Sequence, residues 1–215
     1  MSTMTLAYGR PTLADRLLSR SLVTDLVLVA AGTALTSILA QIAIPIWPVP
    51  ITGQTFAVLF VGASLGVVRA ALSMLLYVGI GLLGLPVFAP NADHSHTVGF
   101  AALVGPTGGY LIAFVFASAF VGWLAQREWD RKWLRTLLAF VGGTVIIYAI
   151  ALPWLFVALS NLHVPNPLQA TLAGGIYPFL LGDTLKAIFA AVLLPLVWRA
   201  LGPVKKSAAK KDRTA

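Results

Sequence analysis

The 215-residue chain contains no cysteine and few charged residues. The absence of cysteine excludes disulfides, thiolate metal sites, iron–sulfur clusters and cysteine nucleophiles. Charged side chains make up 10% of the chain, whereas 59% of its residues are hydrophobic. Soluble domains carry about 25% charged residues, so this chain has too few to cover a water-facing surface. The composition therefore predicts a protein whose solvent is lipid.

Six long apolar runs follow one another along the chain. They cover residues 22–44, 54–68, 70–88, 108–125, 136–160 and 176–198. A helix needs about 20 residues to cross a hydrocarbon core of ~30 Å, so four runs fit well, whereas the second and the fourth are short. The runs predict an all-α fold, namely a polytopic integral membrane protein with six transmembrane helices.

The whole chain, residues 1–215, is predicted to form a single membrane domain. The six helices occupy residues 22–200, and residues 201–215 form a basic cytoplasmic tail. Residues 1–21 form a cytoplasmic N-terminal segment. Its stretch RPTLADRLLSR predicts a short interfacial helix with its three leucines facing the lipid.

Basic residues occur in alternate loops. Fourteen of the 15 Lys and Arg residues lie before the first run, between the second and third, between the fourth and fifth, or after the sixth. The loops after the first, third and fifth runs contain none. By the positive-inside rule, this division predicts that both termini are cytoplasmic. The basic tail then faces anionic lipid or a partner, and no nucleic acid is needed to explain the net charge of +8.

The fifteenth cation, Lys186, lies inside the sixth run together with Asp183, and the remaining charges are expected in short clusters beside the runs. The two residues are three positions apart, so they share one helix face. One interpretation is a self-neutralised pair that fixes this helix to a neighbour. The favoured interpretation is a functional site, as is usual for intramembrane ionisable residues. An acceptor beside a cation suits a ligand with N–H donors at one end and a carboxylate at the other.

The predicted outer loops supply material for the walls of such a pocket. The stretch IPIWPVPITGQTF, residues 44–56, contains three prolines and predicts a rigid turn. Residues 84–111 are apolar and rich in glycine, which predicts a lid or plug that folds back over the helices. Residues 161–175 are expected to close a third side.

Four motifs carry a resemblance to a known family. They are VPITGQTF, LPVFAP, LVGPTGGYLIAF and FLLGDTLKA, in this order. With them, residues 22–200 resemble the BioY family, the biotin-specific substrate-binding S component of energy-coupling-factor vitamin transporters. The resemblance implies a multi-pass protein of the cell membrane that binds biotin with high affinity and mediates its uptake. It also implies that a transmembrane coupling (T) subunit and two cytoplasmic ATPase subunits supply the energy, and that the chain is no enzyme.

The resemblance also implies which residues contact biotin. Asp183 and Lys186 match the family's Gly-Asp-x-x-Lys element. Asp183 is expected to accept N–H bonds from the ureido ring and Lys186 to meet the valerate carboxylate, although the assignment of ends to residues stays open. Gln54, Thr107 and Tyr110 match family positions beside the pocket.

Residues 90–96 depart from the family pattern, which has a small glycine-rich segment after LPVFA. Asn91 in this stretch is expected to be a hydrogen-bonding residue of the pocket. Asp93, His94 and His96 raise the alternative of a metal site, but histidines two positions apart lack clear further ligands. No metal and no cofactor are expected, and the resemblance implies that biotin is the transported ligand.

A small-residue step on the first helix is a candidate docking face. Ala30 and Ala34 are four positions apart, which permits close helix approach. The family resemblance implies docking on the coupling subunit through an alanine-rich face of this helix. Packing inside the chain is the equally compatible alternative, because small residues line most membrane helix interfaces.

Two other classes of function remain open. The chain has no Walker motif, so active uptake needs an external motor or a coupling ion. One alternative is a self-sufficient secondary transporter of biotin or a related small carboxylate, with a proton on Asp183 as coupling ion. No internal repeat is apparent, although inverted repeats typify many secondary transporters. The other alternative is a non-transporting membrane anchor.

Overall fold

The structure, a computed structural model, describes residue 6 and residues 9–202. The predicted basic tail lies outside the described residues from residue 203 on. In chain order the helices are α1 (Leu13–Leu17), α2 (Leu22–Gln41), α3 (Gln54–Leu65), α4 (Val67–Leu82), α5 (Phe100–Val104), α6 (Gly108–Ala125), α7 (Trp133–Asn161), α8 (Pro167–Gly175) and α9 (Tyr177–Ala200). Strands β1 (Ala43–Ile44) and β2 (Ile51–Thr52) pair antiparallel, and a 3-10 turn covers Trp129–Arg131.

Helices α2, α3, α4, α6, α7 and α9 coincide with the six predicted runs. Four stretches have the length and hydropathy to cross a membrane, namely α2, α6, α7 and α8 together with α9. Helices α3 and α4 are shorter, with 12 and 16 residues. The second and third runs are thus the short ones, not the second and fourth. Helix α4 ends early because the chain turns at Gly84, whose φ of +99° favours glycine. The chain is a helical integral membrane protein.

Helix α6 is the most buried of the long helices and packs against α3, α4 and α7. Glycines permit the close approach. A Cβ atom on Gly62 of α3 would lie 2.5 Å from the carbonyl oxygen of Ser118, and one on Gly109 of α6 would lie 2.4 Å from Cβ of Trp154. Close packing over small residues is how helices associate in lipid, where the hydrophobic effect gives little drive.

A group of charges, buried except for the partly exposed Arg20, joins α1 to the first turns of α2 and α4. We call Asp15, Arg20, Asp25 and Arg69 the Arg69 cluster. Arg69 is 1% exposed. Its Nε donates to Oδ1 of Asp25 and its Nη1 to Oδ1 of Asp15, both at 2.7 Å. Arg20 Nη2 donates to Oδ2 of Asp15 at 2.9 Å. The expectation that all charges other than Asp183 and Lys186 lie in clusters beside the runs was wrong for Asp25, which lies inside the first run. Mutual neutralisation is what makes such burial tolerable.

Helix α1 packs under the bundle. Its Leu13 is buried, whereas the other two leucines of the stretch are exposed, so only two of the three leucines expected toward lipid face outward. Arg16 Nη2 donates to the carbonyl oxygens of Leu201 and Gly202 at 3.1 and 3.0 Å. These oxygens lie just after the C-terminal end of α9. Helix α1 therefore connects the start of the described chain to its last helix.

A further buried carboxylate lies in the 3-10 turn between α6 and α7. Asp130 is 2% exposed, its Oδ2 accepts from Nε1 of Trp198 at 2.5 Å, and its Oδ1 has no hydrogen-bond partner among the described residues. Burial raises the pKa of Asp130 to about 6, although the Trp198 bond and the nearby Arg131 charge oppose the shift, while Glu128 adds to it.

The raised pKa of Asp130 predicts a pH-dependent stability. Between about pH 4 and about pH 6 the folded chain keeps a proton that the unfolded chain loses, so the free energy of unfolding should fall as the pH rises through this window. The loss should be on the order of 2 kcal/mol. Asp130→Asn should remove this pH dependence, and its melting temperature at neutral pH should lie above that of the parent. Thermal melts of both proteins in detergent check this, and parallel pH profiles would contradict it.

Candidate functional site

A cavity opens where α3, α6 and α9 begin. Its empty volume, open solvent at the mouth included, is about 640 Å³. Its walls are mostly apolar with a few polar groups, as in ligand pockets. The lining residues are Val49, Pro50, Thr52, Gln54, Thr55, Phe88, Ala89, Asn91, Thr97, Ala102, Thr107, Tyr110, Leu111, Phe114, Tyr148 and Phe179.

The β1–β2 hairpin forms one wall. Its register pairs Ala43 with Thr52, and its turn carries Val49, which is buried and lines the cavity. Pro48 in the same turn packs on α8, where a Cβ atom on Gly174 would lie 2.2 Å from the proline Cδ. The proline-rich stretch is therefore fixed against the bundle.

The segment 84–99 forms the opposite wall and folds back over the helices. Phe88 is buried and meets the ring of Tyr77 edge to face, with 5.3 Å between the centroids. Gln41 Nε2 donates to the carbonyl oxygens of Val87 and Phe88 at 3.3 and 3.2 Å. In the following helix α5, Phe100 and Val104 are exposed, whereas Ala102 is buried and lines the cavity.

Gln54 lies at the N-terminus of α3 and is buried in the cavity wall. Its Oε1 accepts from Oγ1 of Thr52 at 3.0 Å, and its Nε2 donates to the hydroxyl of Tyr77 at 2.5 Å. The Tyr77 hydroxyl in turn lies 3.3 Å from the carbonyl oxygen of Val87. This chain of hydrogen bonds fixes the amide and leaves one N–H of Gln54 for a ligand.

The other three residues expected to bind the ligand, Asn91, Thr107 and Tyr110, also line the cavity. The hydroxyl of Tyr110 donates to the carbonyl oxygen of Gly175 at 2.6 Å, which joins α6 to α8. Thr107 precedes the first residue of α6. Asn91 Nδ2 donates to Oγ of Ser95 at 2.9 Å and to Oγ1 of Thr97 at 3.0 Å, so both of its N–H groups are used within the loop.

Asp183 and Lys186 lie behind the wall of this cavity, beside a space too small for a water molecule. Lys186 Nζ donates to Oδ1 of Asp183 at 3.0 Å, to the carbonyl oxygen of Thr52 at 2.9 Å and to Oγ1 of Thr55 at 2.8 Å. These three bonds use all three N–H donors of the ammonium group. The pair therefore connects α9 to β2 and α3.

Two residues that the sequence reading missed connect this pair to the cavity. Thr55 Oγ1 donates to Oδ1 of Asp183 at 2.9 Å, and the hydroxyl of Tyr148 donates to Oδ2 of Asp183 at 2.5 Å. Both Thr55 and Tyr148 line the cavity. Thr55 stands beside Gln54 in the motif, but nothing marks Tyr148, a single tyrosine in the apolar helix α7.

A wider depression lies outside the cavity and shares part of its wall. It has about 880 Å³ of empty space, open solvent included, and its shared residues are Pro50, Asn91, Thr97, Ala102 and Thr107. The loop that carries Asn91 therefore borders both spaces.

The loop tip that raised a metal alternative makes local hydrogen bonds. Asp93 Oδ1 accepts from the backbone N–H and the hydroxyl of Ser95 at 3.0 and 2.6 Å, and His96 Nδ1 lies 3.0 Å from the carbonyl oxygen of Phe88. Among the described residues, no group of three His, Asp or Glu side chains could hold a metal ion.

The alanines expected to form a docking face lie on the outside of α2. Ala30 and Ala34 are both exposed, whereas Gly32 and Thr33 between them face inward. Gly32 packs on α4, where a Cβ atom would lie 2.6 Å from Oγ of Ser73. The two alanines therefore belong to the outer face and not to the packed interior of the described chain.

The chain is similar to biotin transporters over most of its length. It matches the model of the BioY family over residues 10–203. The "Probable biotin transporter BioY" of Pyrococcus horikoshii is 38% identical over 168 residues, which cover 77% of this chain and 91% of that protein. The "Biotin transporter BioY" of Thermotoga maritima is 36% identical over 168 residues, which cover 77% of this chain and 92% of that protein.

A solved structure has the same fold. The crystal structure of the S component for biotin from an ECF-type ABC transporter superposes with a TM-score of 0.67 and 27% sequence identity, over 82% of this chain and 92% of that chain. The family model spans nearly all of the described residues, and the relatives above are well over 30% identical. The chain therefore belongs to the BioY family.

Proposed function

We propose that this chain is the high-affinity biotin-binding membrane subunit of a biotin uptake system. The observation that carries the proposal is the cavity at the start of α3, α6 and α9, because the motif residues Gln54, Thr107 and Tyr110 line it. Membership of the BioY family supports the same ligand. A separate transmembrane coupling subunit and two ATPase subunits supply the energy.

The cavity residues and the Asp183–Lys186 pair behind its wall divide between the two ends of biotin. Asp183 and Lys186 serve the ureido end together, because their interacting atoms are only 3.0 Å apart and the valerate chain separates the two ends of the ligand. An extended biotin could not place one end on each residue. The carboxylate end then points toward the mouth, where Thr107 and Asn91 lie, and Gln54 and Tyr110 line the space between.

The partner-docking face is the outer surface of α2 around Ala30 and Ala34. Both are exposed side chains without bulk, so a partner helix in the membrane could approach the α2 backbone closely. The coupling subunit is the proposed occupant of this face.

The topology has six membrane helices and both termini in the cytoplasm, in one membrane domain over residues 1–215. The charge division between alternate loops supports it. Helices α3 and α4 then cross only part of the bilayer thickness by themselves, which local thinning of the bilayer accommodates. In this arrangement the cavity opens to the outside, and the Arg69 cluster lies on the inner side.

Cysteine labelling tests the topology on this naturally cysteine-free chain. Asp93→Cys and Lys132→Cys both substitute exposed residues, so each thiol is accessible to a reagent on its own side. In intact cells an impermeant thiol reagent should label position 93 and leave position 132 unlabelled until the membrane is opened. The reverse pattern would contradict the topology.

Equilibrium binding of labelled biotin to the purified chain, without partners, tests the function. Saturable binding of one biotin per chain, competed by unlabelled biotin, is the expected result. Absence of binding by a folded chain would overturn the proposal and favour a membrane anchor. Uptake by the chain alone that an uncoupler abolishes would instead show a self-sufficient secondary transporter.

A further inference from the structure

Tyr148 occupies the boundary between the cavity and the buried Asp183–Lys186 pair. It lies on α7, its side chain lines the cavity, and its hydroxyl donates to Oδ2 of Asp183 at 2.5 Å. A tyrosine hydroxyl has one hydrogen to donate. Because that hydrogen is directed at Asp183, the oxygen of Tyr148 can only accept a further hydrogen bond.

The hydrogen bonds of Asp183 leave one acceptor position unused. A carboxylate offers about four lone-pair positions, two on each oxygen. Oδ1 accepts from Thr55 and from Lys186, whereas Oδ2 accepts from Tyr148 among the described residues. The remaining position is therefore on Oδ2, next to the Tyr148 oxygen, and Asp183 is 7% exposed, so bulk water is largely excluded there.

The residues beside Tyr148 have no unused hydrogen-bond donor that would add to these acceptors. The three N–H groups of Lys186 already have acceptors in the protein, and Thr55 gives its hydrogen to Asp183. The wall at Tyr148 thus presents acceptors alone. A ligand atom that is itself an acceptor would face them unpaired, which is unfavourable in a desolvated site.

We propose that Tyr148 is a specificity-determining residue. Its hydroxyl orients Asp183, and its oxygen together with Oδ2 of Asp183 selects ligands that present an N–H donor at this point of the cavity. The inference rests on the proposed function, since it names the chemistry by which the biotin site reads the ureido ring. An N–H group in the ring of the ligand can donate a hydrogen bond at this position, whereas a ring oxygen or a methylene group cannot.

The test compares three ligands on two proteins. The ligands are biotin and its two carbamate analogues, in each of which an oxygen atom replaces one ureido N–H. The unsubstituted protein should bind biotin roughly 10- to 100-fold more tightly than one of the analogues. Tyr148→Phe should weaken the binding of biotin by roughly 10-fold or more. It should also reduce the ratio of the affinity for biotin to the affinity for that analogue.

Tyr177→Phe is the matched control, because Tyr177 is an exposed tyrosine at the start of α9 outside the cavity. It should leave the affinities for all three ligands unchanged. Equal losses for biotin and the analogue in folded Tyr148→Phe would reduce Tyr148 to a packing residue and overturn the inference. Equal affinities of the unsubstituted protein for biotin and both analogues would overturn it even if Tyr148→Phe did not fold. Absence of biotin binding to the unsubstituted protein would refute the proposed function instead.

Discussion

Arg69→Met is expected to lower the free energy of unfolding by about 3–5 kcal/mol, because it leaves two buried carboxylates without their shared cation. Arg69 bonds to Asp15 and Asp25, and all three side chains are almost fully buried. Methionine keeps the length of the side chain, so the loss should come from charge and hydrogen bonds more than from volume. Thermal and denaturant unfolding in detergent measures it.

A second variant separates the charge effect from damage to packing. In Arg69→Met with Asp25→Asn, one of the uncompensated charges is gone, and Asp15 keeps Arg20 at 2.9 Å. Much of the lost stability should return. Arg135→Met, on an exposed arginine of α7, is the matched control and should stay within about 0.5 kcal/mol of the parent. If Arg69→Met were as stable as this control, the Arg69 cluster would contribute nothing to folding.

The cluster also controls one pKa outside the membrane helices. Although burial opposes ionisation of Asp15, hydrogen bonds from Arg20, from the Thr12 N–H and from Arg69 lower its pKa below the ordinary aspartate value. A lowered pKa in the folded chain means stability that is present near neutral pH and lost as the pH falls through that value. Its effect is opposite in sign to that of Asp130.

Hydropathy predicts the long helices of this fold because a membrane helix must be apolar over its whole length. The short elements escape that signal. Helices α5 and α8 have five and nine residues, too few for a periodicity, and lie in segments read as loops. The buried position of Arg69 was missed for a related reason. A charge at the end of an apolar run reads as a loop residue, and only tertiary packing brings α1 and α2 over it.

The candidate site could be predicted by residue but not by arrangement. Motif positions lead to Gln54, Thr107 and Tyr110, and all of them line one cavity. The contact between Tyr148 and Asp183 joins two helices and residues 35 positions apart, so no local pattern contains it. The same limit applies to Lys186, because its acceptors on β2 and α3 are more than 130 positions away in the chain.

Asp183→Asn is expected to weaken biotin binding by about 2–5 kcal/mol, the range for truncating one partner of a buried charge pair. Asparagine keeps the size of the side chain but has only one oxygen. Its NH₂ group would face either the Tyr148 hydroxyl or the donors of Thr55 and Lys186, from which Asp183 now accepts hydrogen bonds. It also leaves Lys186 without its counter-charge, so a loss of stability should accompany the loss of affinity. Stability and affinity must therefore be measured together.

The double variant Asp183→Asn with Lys186→Met distinguishes a ligand site from an internal salt bridge. Both charges are gone, so its thermal stability should recover toward the parent, whereas its affinity for biotin should stay low because the acceptors for the ureido N–H groups are not restored. Lys132→Met, an exposed lysine, controls for the methionine substitution. Lys186→Met alone should weaken biotin and biotin amide by the same factor, since the pair is assigned to the ureido end. A selective loss for the acid would reverse that orientation. Recovery of biotin affinity in the double variant would mean that Asp183 and Lys186 only hold α9 against α3, and that the ligand contacts lie elsewhere in the cavity.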